Sequence, residues 1–276
     1  MTLSRTDASR QLEEAGLRAK RALGQNFVVD ANTVRKIAHI AGVTSRDCVV
    51  EIGAGLGSLT LALAETGAQI LAIEIDPALI PLLKQNVEHL PNVTVLQADA
   101  MKINWPEVLS GADSWSLIAN LPYNVATPLV ADILDFVPQV KKMLVMVQKE
   151  VGERFCAKPS SSAYGALSVK VDFYATAHIV GIVPPTVFLP RPSVDSALVE
   201  ITRRAQLADE SINAKAFFSL VRMGFAKRRK MLRGALSGTV EQDHFEKAGI
   251  APTARAEELS VQQWIALFKA HQEITT

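Results

Sequence analysis

The tetrapeptide formed by Asn120, Leu121, Pro122 and Tyr123 is a candidate for a chemical role. An exocyclic amine on an aromatic base is a poor nucleophile because its lone pair is delocalised into the ring. The amide oxygen of Asn120 and the backbone carbonyl of Leu121 could accept hydrogen bonds from such an amine and favour a pyramidal, nucleophilic nitrogen. Pro122 restricts the backbone, and Tyr123 offers a ring on which a base could stack. The tetrapeptide indicates transfer of a group to an amine conjugated with a ring, although proline and asparagine are also common in ordinary turns.

A second set of residues has the spacing of a nucleotide-binding site. Gly53 and Gly55 belong to a G-x-G-x-G loop, in which glycines allow a tight turn and a close approach of ligand to backbone. Glu74 lies 21 residues beyond Gly53, where a carboxylate can accept hydrogen bonds from both hydroxyls of a ribose. Asp99, followed by Ala100, could accept a hydrogen bond from an adenine amino group. Each acid alone could be a solvated residue at a strand end, but together with the glycines they predict a cofactor that contains adenosine.

The choice of cofactor rests on the tetrapeptide. NAD and S-adenosylmethionine both carry an adenosine ribose, so Glu74 does not distinguish them. A dinucleotide loop of the form G-x-G-x-x-G would have glycine where Ser58 stands, and a nicotinamide-dependent oxidoreductase gives residues 120–123 no role. We therefore expect S-adenosylmethionine, whose sulfonium methyl group is a good electrophile, so that alignment and electrostatics suffice without a strong general base.

The order of apolar segments explains how these residues could meet. Short apolar runs alternate with helical stretches and predict an α/β, Rossmann-like fold with a mostly parallel seven-stranded sheet. The predicted strands are 49–52, 69–76, 93–97, 115–119, 143–148, 168–183 and 197–201. Ligands of such sheets bind beyond the carboxyl ends of the strands, where Gly53, Glu74, Asp99 and Asn120 all fall. Phe188, in the loop 184–192, is predicted either as a second stacking face for the base or as a core residue.

The C-terminal part is predicted to be helical only. From about residue 205 onward, apolar residues recur at helical spacing: Phe218, Val221, Phe225, Leu232 and Leu236. We therefore predict a catalytic, S-adenosylmethionine-binding domain over 1–204 and a small all-α domain for RNA or ribosome recognition over 205–276.

Positive charge is concentrated near the start of this helical part. Nine basic and two acidic residues lie between 201 and 234, whereas the whole chain has a net charge of only +1. This asymmetry fits a basic surface for nucleic acid. The candidate RNA contacts are Lys227, Arg228, Arg229, Lys230 and Arg233. Helical spacing would place Arg222, Arg229 and Arg233 beside the apolar stripe, where they could instead line the core edge or pair with acids of the catalytic domain.

The composition excludes several other classes. Two cysteines, Cys48 and Cys156, supply neither a disulfide framework nor a standard zinc site, so no metal is expected. No apolar run approaches the roughly 18 residues of a membrane helix, and the N-terminus lacks the apolar core of a secretory signal. We expect a cytoplasmic protein with no membrane partner, and nothing in the sequence suggests more than a monomer.

Together these segments resemble the KsgA-type family of ribosomal RNA adenine dimethyltransferases, which also contains the macrolide-resistance enzymes of the large-subunit RNA. The resemblance runs from about residue 20 to the C-terminus. Its matching segments are LGQNF (23–27), EIGAGLGSLT (51–60), AIEID (72–76), QADAM (97–101), NLPYN (120–124), VFLPRPSVDSALV (187–199) and RRKMLRGAL (228–236).

The resemblance implies roles for individual residues. Asn26 and Val28 would line the methionine side of the cofactor pocket, although Val28 replaces the leucine usual there. Gly53 would form the backbone floor of the pocket, Glu74 would bind the ribose and Asp99 the cofactor adenine. Residue 120 would contact both the cofactor and the target amine.

The resemblance also implies a substrate. The family transfers two methyl groups to each of two adjacent adenosines in a hairpin loop near the 3′ end of 16S rRNA, within a late precursor of the small ribosomal subunit. The long C-terminal domain favours this branch over the resistance relatives, which tend to be shorter and more basic. Two alternatives remain at this point: a large-subunit rRNA adenine methyltransferase of the macrolide-resistance type, and a ribosome-assembly or transcription factor that uses the fold for binding.

Overall fold

The computed structural model describes residues 2–227 and 230–275. The chain forms two compact units. The first comprises the described residues up to Gly152 together with His178–Thr202, and the second comprises Glu153–Ala177 and the described residues from Arg203 onward. The predicted boundary at residue 204 therefore differs from the observed division, because residues 153–177 cluster with the C-terminal helices.

The strands are short and mostly buried, as the apolar runs predict. In chain order they are β1 (Phe27–Val28), β2 (Cys48–Ile52), β3 (Gln69–Glu74), β4 (Val93–Gln97), β5 (Trp115–Asn120), β6 (Val140–Gln148), β7 (Ala175–Val183), β8 (Phe188–Leu189) and β9 (Ser196–Arg203). The helices are α1 (Arg5–Glu14), α2 (Ala31–Ala41), α3 (Ser58–Ala64), α4 (Ile80–Val87), α5 (Trp105–Val108), α6 (Ala126–Phe136), α7 (Lys149–Cys156), α8 (Ala166–Tyr174), α9 (Ala214–Ala226), α10 (Leu232–Ala235), α11 (Gln242–Lys247) and α12 (Val261–Thr275).

The seven-stranded sheet has the order β4-β3-β2-β5-β6-β9-β7, and β1 pairs separately with β8. Strands β2 to β6 pair with one another in parallel, and β9 runs antiparallel to β6. The chain builds outward from β2 to β4 and then resumes on the other side of β2 with β5. This reversal creates a crevice beyond the carboxyl ends of β2 and β5, the usual ligand site of such sheets.

One predicted strand is largely a helix. The segment 168–183 was expected to be a strand throughout, but Ala166–Tyr174 is α8 and only Ala175–Val183 is extended. The Ser168 side chain caps α8 by accepting a hydrogen bond from the Gly165 N–H at 3.1 Å. Five of the nine residues of α8 are buried, so the helix lacks the polar face that would have revealed its period.

The predicted helical run from Phe218 to Leu236 is interrupted. Helix α9 ends at Ala226, and Met231 is extended, forms an isolated antiparallel bridge with Arg255 and precedes α10. Pairing with residue 255 requires an extended backbone that no continuous helix could supply. The predicted continuous helix is therefore wrong, and Arg222 on α9 and Arg233 on α10 do not share the face of one helix.

Candidate active site

Three segments of the first unit meet at the carboxyl ends of β2, β3 and β5. They are residues 20–26, the glycine loop after β2 and the tetrapeptide loop after β5. We call Lys20–Asn26 the strap. A Cβ atom on Gly24 of the strap would lie 3.0 Å from Oδ1 of Asn124 and 3.1 Å from Cβ of Pro122. A Cβ on Gly55 would lie 2.9 Å from the Phe27 ring. Both glycines have positive φ, so their identity is required by backbone conformation as well as by space.

Two adjoining cavities lie between these loops at the carboxyl edge of the sheet. The first brings together the predicted cofactor residues Asn26, Val28, Gly53, Gly55, Glu74 and Asn120. It also contains Leu121, Pro122 and Tyr123. The second cavity contains Asp99 and Ala100 and shares Gly53 and Pro122 with the first.

Glu74 ends β3 with its carboxylate buried beside the glycine loop. Its Oε2 accepts a hydrogen bond from the Gly55 N–H at 2.7 Å, and its Oε1 accepts one from the Asp76 N–H at 2.8 Å. Burial raises the pKa of Glu74, while the backbone hydrogen bonds from Asp76 and Gly55 act in the opposite direction. Each oxygen keeps a further lone pair with which it can accept a ribose hydroxyl.

Asp99 lies in the more apolar of the two cavities. Its Oδ1 accepts a hydrogen bond from the Met101 N–H at 3.0 Å, and its Oδ2 lies 3.3 Å from Nζ of Lys102. The neighbouring walls include Ile52, Ile73 and Leu129. An acceptor at the rim of an apolar slot suits a flat base with one amino group, such as adenine.

Asn120 is oriented by the strap. Its Nδ2 donates a hydrogen bond to the Asn26 carbonyl at 2.8 Å, and Asn26 Nδ2 in turn donates to the Gly24 carbonyl at 3.1 Å. Because the amide nitrogen is engaged with the strap, Oδ1 is the atom of Asn120 that is left to accept a hydrogen bond from a ligand. This is the orientation that the proposed chemistry requires.

Phe188 is not a stacking face. It is fully buried in the core of the first unit, beside Val28, and it does not line either cavity. Strand β8 pairs with β1, so that Phe188 is opposite Val28, and this pairing turns the ring into the core. The core interpretation of Phe188 is therefore correct and the base-stacking one is wrong.

Sequence reasoning missed Glu51, which belongs to β2 and lines the first cavity. Its side chain is 2% exposed, and its Oε2 has no hydrogen-bond partner among the described residues. Burial raises the pKa of Glu51 to about 8; the Thr60 hydroxyl acts in the opposite direction and the nearby Glu74 in the same direction. A buried acid without a full set of partners at a cavity wall is a feature that ligand binding can satisfy.

The raised pKa of Glu51 predicts how stability depends on pH. The folded protein binds a proton at Glu51 up to about pH 8, whereas the unfolded chain releases it near pH 4.5. The stabilising contribution is complete below pH 4.5 and is lost as the pH rises to 8. Between these values the unfolding free energy of wild type relative to Glu51→Gln should fall by about 1.4 kcal/mol per pH unit. Urea denaturation of both proteins at several pH values measures this difference, and a constant difference would contradict the protonation of Glu51.

The strap is fixed by Asp76, another residue that the sequence did not reveal. Asp76 is 2% exposed and accepts hydrogen bonds from Lys20 Nζ at 2.8 Å, Gln25 Nε2 at 2.9 Å and the Ala78 N–H at 3.1 Å. Burial alone would raise the pKa of Asp76, but these hydrogen bonds hold that pKa below its usual range. The strap is thereby attached to the end of β3, next to Glu74.

These features fit S-adenosylmethionine. The polar cavity, with Glu74 and the incompletely partnered Glu51, suits a ribose and the polar amino-acid end of the cofactor. The adjoining apolar cavity, with Asp99, suits adenine. In the part of the chain that the structure describes, no cluster of three or more His, Cys, Asp or Glu residues could hold a metal ion. None of the helices over the same residues combines the length and apolarity needed to span a membrane.

Three of the candidate RNA contacts, Lys227, Lys230 and Arg233, lie in the second unit and are exposed. Arg228 and Arg229 lie outside the described residues, so their predicted role stays a prediction.

The chain matches a family of known proteins over most of its length. The profile of the ribosomal RNA adenine dimethylase family matches residues 16–273. A ribosomal RNA small subunit methyltransferase A from Bifidobacterium adolescentis is 44% identical over 288 residues, covering 99% of this chain and 95% of the relative. A protein of the same name from Cutibacterium acnes is 46% identical over 263 residues, covering 90% and 87%.

Two solved structures share the fold. A dimethyladenosine transferase from Plasmodium falciparum superposes with a TM-score of 0.74 at 24% identity, covering 88% of this chain and 96% of that one. The 23S rRNA methyltransferase ErmE superposes with a TM-score of 0.69 at 25% identity, covering 89% and 99%. The predicted Rossmann-like methyltransferase fold is confirmed, and with nearly the whole length matched, the chain belongs to the ribosomal RNA adenine dimethylase family.

Proposed function

We propose that this protein transfers methyl groups from S-adenosylmethionine to the N6 amines of two adjacent adenosines near the 3′ end of 16S rRNA. The substrate is a late precursor of the small ribosomal subunit in the cytoplasm, and the enzyme acts as a monomer. The observation that carries the proposal is the orientation of Asn120, whose amide nitrogen is engaged by Asn26 and whose oxygen is left for the target amine.

The first three residues of the tetrapeptide have roles in this chemistry. S-adenosylmethionine supplies an electrophilic methyl group on a sulfonium centre. Asn120 Oδ1 and the Leu121 carbonyl accept hydrogen bonds from the N6 amine and reduce its conjugation with the ring. The Pro122 carbonyl accepts hydrogen bonds from the N–H groups of Val125 and Ala126 at 3.1 Å, which fixes the start of α6 and therefore the loop.

The choice of the small subunit rests on the relatives. Eight of them, between 39% and 46% identical, are named ribosomal RNA small subunit methyltransferase A. The large-subunit enzyme ErmE is only 25% identical. This difference favours the small subunit over the macrolide-resistance target.

Methyl-labelled S-adenosylmethionine, incubated with unmethylated small or large subunits, tests the proposal directly. Digestion to nucleosides should give labelled N6,N6-dimethyladenosine from the small subunit alone. Label in the large subunit would support the resistance-type alternative. Binding to the small subunit without any label would support a pure assembly factor.

Lys227 provides a test of the RNA-binding part of the proposal. It is exposed at the end of α9, and we propose that it contacts phosphate. Lys227→Ala should weaken binding to small subunits and reduce the slope of log K against log salt by about 1, because one fewer counterion is released. Lys215→Ala, exposed near the start of the same helix, is the matched control. An unchanged slope for Lys227→Ala would contradict the phosphate contact.

A further inference from the structure

One hydrogen bond connects the side chain of Tyr123 to the sheet. Its Oη lies 2.9 Å from Oγ of Ser196. Ser196 is fully buried, begins β9 and is opposite Gln148 of β6 in the antiparallel register. Tyr123 is half-buried and lines the first cavity. The bond therefore joins a loop residue at the cavity wall to a residue that is fixed within a strand.

Base stacking alone gives the Tyr123 hydroxyl no role. Phenylalanine would offer the same ring face to an adenine. Burial raises the pKa of the Tyr123 hydroxyl above its usual value, and the hydrogen bond with Ser196, which acts in the opposite direction, does not cancel that effect. The hydroxyl is therefore neutral at physiological pH and is not a general base. Its remaining capacity is to orient the ring.

The geometry of a phenol makes such orientation effective. A tyrosine ring has a broad preference about its second side-chain torsion, so a ring held only by its Cβ can turn and tilt. Because the phenol oxygen is conjugated with the ring, its hydrogen bonds lie near the ring plane. A fixed partner at Oη therefore restrains both the far end of the ring and the direction in which its face points.

Because Phe188 is buried, Tyr123 is the remaining candidate for stacking on the target base. The aromatic side chains lining the first cavity are those of Phe27 and Tyr123. Phe27 is buried and packs over Gly55, within contact distance of where a Cβ would stand. Tyr123 is thus the aromatic residue with an exposed portion at the wall that holds Asn120.

We propose that Ser196 is a positioning residue for methyl transfer, which fixes the ring of Tyr123 so that the stacked base presents its amine to Asn120 and Leu121. This inference rests on the proposed function. Small errors in the alignment of reacting groups are costly, because catalysis here depends on alignment more than on acid–base chemistry. Ser196 lines neither cavity, and its hydroxyl contacts the Tyr123 hydroxyl, so it acts through Tyr123.

A double-mutant cycle tests the inference with the full-length protein and small subunits. Ser196→Ala and Tyr123→Phe each remove one partner of the bond and keep the rest of the side chain. Each should lower kcat about three- to ten-fold, the factor expected for one hydrogen bond, with the KM for S-adenosylmethionine unchanged. The double variant should match the single variants, because both changes break the same bond.

Ser168→Ala is the matched control, since Ser168 is also a buried serine and its Oγ donates to the Arg154 carbonyl at 2.7 Å in the second unit. It should lower the melting temperature and leave kcat unchanged. A wild-type kcat for Ser196→Ala, independent effects that multiply in the double variant, or a change confined to the KM for S-adenosylmethionine would overturn the inference alone. Absence of dimethyladenosine with the wild-type protein would overturn the proposed function as well.

Discussion

Replacing Asn120 with alanine should lower kcat for methyl transfer by about 100- to 1,000-fold, the usual cost of removing one group that stabilises a transition state electrostatically. The variant loses the oxygen that accepts the target amine and leaves the Asn26 carbonyl without its donor. The other walls of both cavities remain, so the affinity for S-adenosylmethionine should fall by no more than about ten-fold. Binding to small subunits should persist.

Single-turnover methylation with labelled cofactor measures this loss, and isothermal titration measures the affinity. Asn32→Ala is a suitable control because Asn32 is exposed on α2, away from both cavities. Normal methylation by Asn120→Ala would refute the catalytic role. If Asn120→Ala lost both subunit binding and methylation, Asn120 would be needed for folding rather than for catalysis.

Replacing Glu74 with glutamine should raise the Kd for S-adenosylmethionine about 100-fold, because two hydrogen bonds between ribose hydroxyls and a charged acceptor are lost or weakened. Glutamine has the same shape, but its amide nitrogen would face one of the two backbone N–H groups that donate to Glu74. Two donors cannot form a hydrogen bond with each other. The variant should therefore also be less stable without cofactor.

Calorimetric titration at a fixed pH measures the affinity, and thermal denaturation reports whether the variant is folded. Glu88→Gln is the matched control, since Glu88 is exposed just after α4. Unchanged affinity in a folded Glu74→Gln protein would rule out the ribose role. A reduced affinity for the control as well would point to a general effect of charge.

The sequence was sufficient to predict the site residues that lie at the carboxyl ends of the parallel strands. Gly53, Glu74, Asp99 and Asn120 could be placed together because parallel strands bring their carboxyl ends to one edge, and this rule does not depend on side-chain detail. Short apolar runs located the strands of that edge to within a few residues.

Contacts between distant loops could not be predicted in the same way. The hydrogen bond between Asn120 and Asn26 spans 94 residues, and that between Gln25 and Asp76 spans 51. No local pattern encodes such pairings. Glu51 was missed because an acid inside an apolar run looks like an outward-facing strand residue, yet both faces of this strand are covered.

Errors arose where burial hides the pattern. Helix α8 is apolar on most sides, so its sequence resembles a strand. The loop around Phe188 is apolar, and the sequence alone could not show whether the ring faces a ligand or the core. The break after α9 depends on pairing with residue 255, which lies outside the local segment.

The attachment of the strap has a consequence for folding. The bonds from Gln25 to Asp76 and from Asn120 to Asn26 close loops of 51 and 94 residues, and the entropy lost in closing long loops must be offset before such contacts are stable. The wall that the strap contributes to both cavities exists only after the sheet has assembled and the N-terminal segment has returned to it. A ligand bound in these cavities stabilises that completed state and no partly folded one, so it shifts the folding equilibrium by mass action. S-adenosylmethionine therefore stabilises the fully folded chain in addition to donating the methyl group. Its binding is a test of complete folding, whereas helix and strand content could be native-like before the strap is in place.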